Sequence, residues 1–195
     1  MSDAAEARVG AEVAVFGGSF DPPHVAHVLV VAWALSATDV ERVIVVPAFV
    51  HPFAKPLAPF EHRVRMAELA MRDFARVEVS RVEEQLGGEG RTLFTLEELA
   101  RRMPTKRLRL VVGADLLGES SKWYAFDRVC ALAPLLVVGR AGYPTPGTTT
   151  AIELPNVSST DVRRRLRTGS PVDGLVPPAV ARYAREHSLY RDAGQ

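Results

Sequence analysis

Apolar residues along this chain gather in short dense runs, and between the runs they recur at helical spacing. The runs Glu12–Phe16, Val43–Pro47, Val77–Ser80, Arg107–Val112 and Leu135–Val138 read as strands, with Ile152–Leu154 as one more. They are almost wholly apolar, as strands covered on both faces must be. Helices are predicted over His24–Ala37, Phe60–Phe74, Leu93–Met103, Trp123–Leu132, Ser159–Thr168 and Pro177–His187. Gly17–Pro23 holds too many turn formers to extend either neighbour, and Pro104 stops the third helix. Strand and helix alternate almost throughout, which predicts an α/β fold with a doubly wound parallel sheet and a helical C-terminal end. The sequence has no repeat and no low-complexity tract. One domain is expected over residues 11–190, with tails at 1–10 and 191–195.

Composition narrows the class. The 195 residues are 47% apolar and 24% charged, which excludes a disordered chain. The longest apolar run, Val28–Leu35, is far shorter than a bilayer span. The first ten residues lack the basic-then-apolar order of a secretory signal, so none is expected. A single cysteine, Cys130, excludes an internal disulfide and a cysteine-based zinc site, and a reducing cytoplasm is the expected compartment. The net charge of +1 hides an asymmetry: residues 1–100 carry 9 basic and 15 acidic side chains, residues 101–195 carry 15 and 8. That imbalance is too weak for a general nucleic-acid binder and suits a small anionic ligand.

In an open parallel sheet, ligands bind beyond the carboxyl ends of the strands, where strand order reverses. The first strand runs into Gly17-Gly-Ser-Phe-Asp-Pro-Pro-His-Val-Ala-His27. Paired glycines allow a phosphate to approach the backbone, and the helix that follows offers N–H groups to an anion. His24 and His27 can face one ligand from the helix start. Other readings compete: Gly17-Gly18 alone can be a plain tight turn, a His-x-x-His pair can ligate a metal, and Asp21 suits a turn or cap. No third metal ligand lies nearby in sequence. A second segment is Val157-Ser-Ser-Thr-Asp-Val-Arg163. Hydroxyl residues there can simply cap a helix. Arg163, however, lies one turn past Ser159 on the same face and adds a guanidinium to those hydroxyls for a polyanion. Arg164, Arg165 and Arg167 point elsewhere, as a solvated face. The chain has 21 arginines and 3 lysines, so Lys55 in its proline-rich loop is a candidate compact charge.

Together the two segments resemble the HxGH-type nucleotidyltransferases, with their GG[ST]FDPxHxGH and late ISSTxxR segments. Further segments are similar to the bacterial nicotinate-nucleotide adenylyltransferases: Gly113-Ala-Asp115, Trp123-Tyr124, Arg140-Ala-Gly-Tyr143, Thr92-Leu-Phe-Thr95-Leu96, Leu175-Val-Pro-Pro and His187-Ser-Leu-Tyr190. The chain departs from the pattern at Ala26, at His51–Lys55 and at Arg91, which replaces an aromatic residue. The resemblance implies a Rossmann-like nucleotidyltransferase fold and adenylyl transfer from ATP to nicotinic acid mononucleotide, giving deamido-NAD and pyrophosphate. It implies His24, His27, Lys55 and Arg163 as catalytic. Gly17, Gly18, Ser19, Phe20, Gly113, Asp115, Ser158, Ser159 and Thr160 join His24, His27 and Arg163 around ATP. Ser19, Lys55, Thr92, Trp123, Tyr124 and Arg140 are implied around the acceptor. Trp123 can equally be a core residue. Mg²⁺ is expected with ATP, bridged by phosphates, with no protein metal ligand. Nicotinamide mononucleotide and phosphopantetheine remain alternative acceptors, and a non-catalytic nucleotide-binding module is the reading from another class. Nucleic-acid and membrane partners are not expected, and a homo-oligomer stays open.

Overall fold

Five parallel strands form one sheet in the order β3-β2-β1-β4-β5. They are β1 (Glu12–Gly18), β2 (Arg42–Pro47), β3 (Val77–Val79), β4 (Arg107–Gly113) and β5 (Leu135–Val138). The computed structural model describes residues 10–50, 57–87, 90–118, 123–139 and 154–191, with Asp115 and Leu116 as backbone alone. The helices are α1 (Val25–Ala37), α2 (Phe60–Met71), α3 (Val82–Leu86), α4 (Thr92–Arg102), α5 (Ala114–Leu117), α6 (Phe126–Leu132), α7 (Ser159–Thr168) and α8 (Pro178–Glu186).

Alternate residues of each strand enter opposite cores, as the two-residue side-chain period requires. Ala14, Phe16, Val43, Val45, Val111 and Leu136 face α1, α2, α7 and α8. Val13, Val15, Ile44, Val46, Leu108, Leu110 and Val112 face α3, α4 and α6. The doubly wound parallel sheet is therefore the one the sequence predicts. Chain order reverses beside β1, which pairs with β2 on one side and β4 on the other. The crevice beyond the carboxyl ends of β1 and β4 is thus the switch point where ligands bind in such sheets.

Several boundaries differ from the sequence reading. Strand β1 runs on into Gly17 and Gly18. Helix α6 begins at Phe126 instead of Trp123, because Ala125 takes a left-handed φ of 50° that a helix cannot continue. Helix α3 is absent from the sequence reading. It has five residues, buries only Val82 and closes on Gly87, so no periodic stripe announces it. At the expected sixth strand, the described residue Leu154 donates its N–H to the Gly139 carbonyl as an isolated bridge. Ile152 and Glu153 lie outside the described residues. No described helix is long and apolar enough to cross a membrane.

Candidate active site

The carboxyl end of β1 places Gly17 at the surface of the crevice. Among the described residues, no atom lies within 4 Å of where a Cβ on Gly17 would stand, so the space above it is open. Gly18 instead rests on the ring of Phe20, whose atoms would lie 3.3 Å from an added Cβ. Phe20 itself is fully buried, edge-on to Phe16 with ring centroids 5.5 Å apart. The Phe20 side chain thus forms the floor beneath Gly18. Gly17→Ala is expected to leave the melting temperature within about 2 °C, since it meets no protein atom, while raising the KM for ATP about tenfold or more. Thermal melts and initial rates check the two halves together.

His24 caps α1 and is 7% exposed. Its ring lies over that of His27, with centroids 3.8 Å apart at 30°. The backbone N–H of His24 donates to His27 Nδ1 at 3.1 Å. An Nδ1 that accepts carries no proton, so in the neutral ring the proton sits on Nε2. Phe20 and Phe16 pack beside the same ring at centroid distances of 5.0 and 5.9 Å and fix its orientation. The helix end offers an anion less than the sequence suggests. Val25 N–H is taken by the Leu175 carbonyl at 2.9 Å, and His27 N–H turns back to His24 O at 2.9 Å.

The late hydroxyl-and-arginine segment meets this turn directly. Ser158 caps α7 by accepting from Asp161 N–H at 3.2 Å, so for this residue the capping reading holds. Ser159 Oγ donates to the Pro22 carbonyl at 3.0 Å. Arg163 Nη1 donates to the Asp21 carbonyl at 2.7 Å and lies 3.7 Å from its carboxylate, while Nη2 donates to Thr160 Oγ1 at 3.2 Å. Arg163 is about one-third exposed, so its guanidinium joins the two motifs and still borders solvent. Arg164 and Arg165 pair with Asp161 on the far side, as expected of a solvated face. Ser158→Ala is expected to cost about 1 kcal/mol, the usual value of a helix cap, as a shift in the denaturant midpoint.

Asp21 is more than a turn residue. It is 1% exposed and accepts from Tyr190 Oη at 2.7 Å and from Ala58 N–H at 3.3 Å. Burial, and next the Asp21 carboxylate, hold the Tyr190 hydroxyl far above the usual phenol range, so it stays a donor at all ordinary pH. The buried Arg63 completes the support. Its Nε donates to Ala58 O at 2.9 Å, Nη1 to Ser19 O at 2.9 Å and Ala48 O at 2.6 Å, and Nη2 to Phe49 O at 3.4 Å. Burial lowers its pKa, and the nearby Asp21 carboxylate opposes that. The sequence reading picked out neither Arg63 nor the role of Tyr190.

On the acceptor side the candidates divide. Thr92 opens α4; Gly113, a candidate for the ATP side, ends β4 beside Val138. Trp123 is half-buried against the second core and edge-on to Phe126 at 5.8 Å, so packing accounts for part of its role. Tyr124 is 48% exposed, with the Arg91 guanidinium 4.2 Å from its ring centroid and Phe94 alongside at 5.8 Å. Arg91 thus sets its positive charge over an aromatic face. Lys55 and Arg140 lie outside the described residues, as does the side chain of Asp115. Among the described residues, no cluster of three or more His, Cys, Asp or Glu side chains could hold a metal.

Fold and site define an α/β protein with an open, glycine-lined crevice at the switch point of its sheet. The family model described as cytidylyltransferase-like matches residues 15–165. A protein of Anaeromyxobacter dehalogenans (strain 2CP-C), named probable nicotinate-nucleotide adenylyltransferase, is 51% identical over 186 residues, 93% of this chain and 98% of that one. A protein of the same name from Myxococcus xanthus (strain DK1622) is 40% identical over 184 residues, 94% and 96% of the two chains. The solved Plasmodium falciparum nicotinic acid mononucleotide adenylyltransferase complexed with NaAD shares the fold, with a TM-score of 0.79 at 18% identity over 92% of this chain and 97% of that one. The chain belongs to the cytidylyltransferase-like family, in its nicotinate-nucleotide adenylyltransferase branch.

Proposed function

We propose that this protein transfers the adenylyl group of ATP, as its Mg²⁺ complex, to nicotinic acid mononucleotide, giving deamido-NAD and pyrophosphate. The observation that carries the reading is the meeting of the His24–His27 pair, the open Gly17 turn and Arg163 at one end of the sheet. The names of the relatives supply the acceptor. The reaction is a displacement at phosphorus: a phosphate oxygen of the mononucleotide bonds to the α-phosphorus of ATP, and the bond to the β-phosphate bridge breaks. The attacking oxygen is already anionic, so no general base is required. The protein's task is to bring two polyanions together and to place donors where charge develops.

His27 Nε2–H is such a donor, held in orientation by the His24 N–H bond on the opposite nitrogen. Gly17 leaves room for the triphosphate, and Arg163 with the α7 hydroxyls would take its distal end. Mg²⁺ would accompany ATP and would offset the charge of its phosphates, with no protein side chain required to hold it. Lys55, Asp115 and Arg140 complete the proposed set, on the acceptor and nucleotide sides. The cytoplasm is the proposed compartment, and residues 11–190 the proposed working unit. The test is pyrophosphate release from ATP and Mg²⁺ with nicotinic acid mononucleotide, nicotinamide mononucleotide and phosphopantetheine in parallel. Preference for the acid mononucleotide supports the reading. Turnover with another acceptor alone overturns the acceptor, and silence with all three in folded, ATP-binding protein overturns the enzyme.

A further inference from the structure

Glu83 stands on α3, outside the residues assigned to the reaction, yet its carboxylate joins two elements of the acceptor side. Oε2 accepts the backbone N–H of Phe49 at 2.9 Å, in the loop after β2. Oε1 accepts the hydroxyl of Thr95 at 3.1 Å, in the first turn of α4. Thr95 is 4% exposed, so the second bond is shielded from water. The Phe49 peptide is gripped from its other side by Arg63, which donates to Ala48 O and Phe49 O. Ala48 N–H in turn donates to Gly18 O at 2.8 Å, tying this loop to the glycine turn. The chain between α3 and α4 comes equally close: a Cβ on Gly90 would stand 2.6 Å from the Val50 carbonyl. Burial raises the Glu83 pKa, against the Phe49 and Thr95 hydrogen bonds and the Arg63 charge, so this carboxylate is kept in place by its partners.

We propose that Glu83 is a positioning residue for the acceptor, setting the distance between the loop after β2 and the start of α4 so that the mononucleotide fits between them. The proposal rests on the reading of Thr92, in the same first turn of α4 as Thr95, as an acceptor-side residue. A carboxylate at this point accepts from both elements at once, and alanine leaves both donors without that acceptor in a part-buried place. Loss of the contact lets the loop drift relative to α4, while the glycine turn and histidine pair keep their own supports. The effect therefore falls on acceptor binding more than on ATP.

The experiment measures KM for each substrate and kcat in Glu83→Ala, Glu83→Gln and Thr95→Val, with hydrogen exchange at the Phe49 amide read in parallel. Expected for Glu83→Ala is a rise of about tenfold or more in acceptor KM, an ATP KM within about twofold, and faster exchange at Phe49. Glu83→Gln keeps an acceptor for Phe49 N–H and a donor for the Thr95 oxygen, and is expected within about threefold of wild type. Thr95→Val, nearly the same shape, removes one contact only and should give an intermediate rise; it carries the test if Glu83→Ala does not fold. Equal rises in both KM values, or an unchanged acceptor KM beside faster exchange, would reduce Glu83 to a structural residue. Should wild type use another acceptor, the same split is read with that one, and the acceptor assignment fails separately from the positioning role.

Discussion

Replacing His27 with alanine should lower kcat about 10²- to 10³-fold, the usual cost of removing one preorganised donor from a transition state. Three contacts make this the most sensitive position of the site. The His24 N–H on Nδ1 sets which nitrogen carries the proton, the His24 ring lies against one side, and Phe20 closes the other. These contacts hold the ring in place, so in the proposed reaction its Nε2–H would meet the phosphate without reorganisation. The KM for ATP should change much less than kcat, because a donor matched to developing charge stabilises the transition state more than the bound substrate. Circular dichroism and a melt would establish that the variant is folded. Near-normal pyrophosphate release by folded His27→Ala would remove this residue from the mechanism.

The largest stability effect is expected at Arg63. The side chain is 1% exposed and serves carbonyls from three places: Ala58 at the entry to α2, Ser19 in the glycine turn, and Ala48 with Phe49 after β2. Arg63→Met keeps much of the packing volume and removes every donor. Those carbonyls then stay buried without that partner, each at a cost of roughly 1–3 kcal/mol, and the Asp21 carboxylate loses a nearby positive charge. A loss of about 3–5 kcal/mol in denaturant unfolding is expected, together with lower activity at temperatures where the variant is still folded. A loss under about 1 kcal/mol would show that water or neighbouring groups replace the guanidinium.

The parts of the site that were legible in the sequence are those set by local chemistry. Gly17-Gly18 followed by two histidines three apart needs only the strand–turn–helix context, and the apolar run of β1 supplies it. The Ser158 cap is equally local. What escaped is set by long-range convergence. Arg63 lies in a stretch of alternating charge that reads as solvent-facing, but it falls on the buried stripe with Met66, Ala67 and Ala70. That spacing was the available signal. The convergence of carbonyls from residues 19, 48, 49 and 58 was not. Glu83 sits on a helix too short to show a period, and its partners are 34 and 12 positions away. Tyr190 reaches Asp21 across 169 positions of sequence, so its part in the site emerges only from the fold. At the start of α1, the Leu175 carbonyl that takes Val25 N–H likewise comes from a distant loop, beyond a local reading.

The most direct test of the account follows the phosphorus atoms. Wild-type protein is incubated with nicotinic acid mononucleotide and Mg²⁺, and with ATP labelled at the α-phosphate in one reaction and the γ-phosphate in another. The account predicts that the α label appears in the dinucleotide and the γ label in pyrophosphate, in equal amounts. A γ label in inorganic phosphate or on the mononucleotide, with no α label in a dinucleotide, would place the cleaved bond elsewhere and contradict adenylyl transfer at this site.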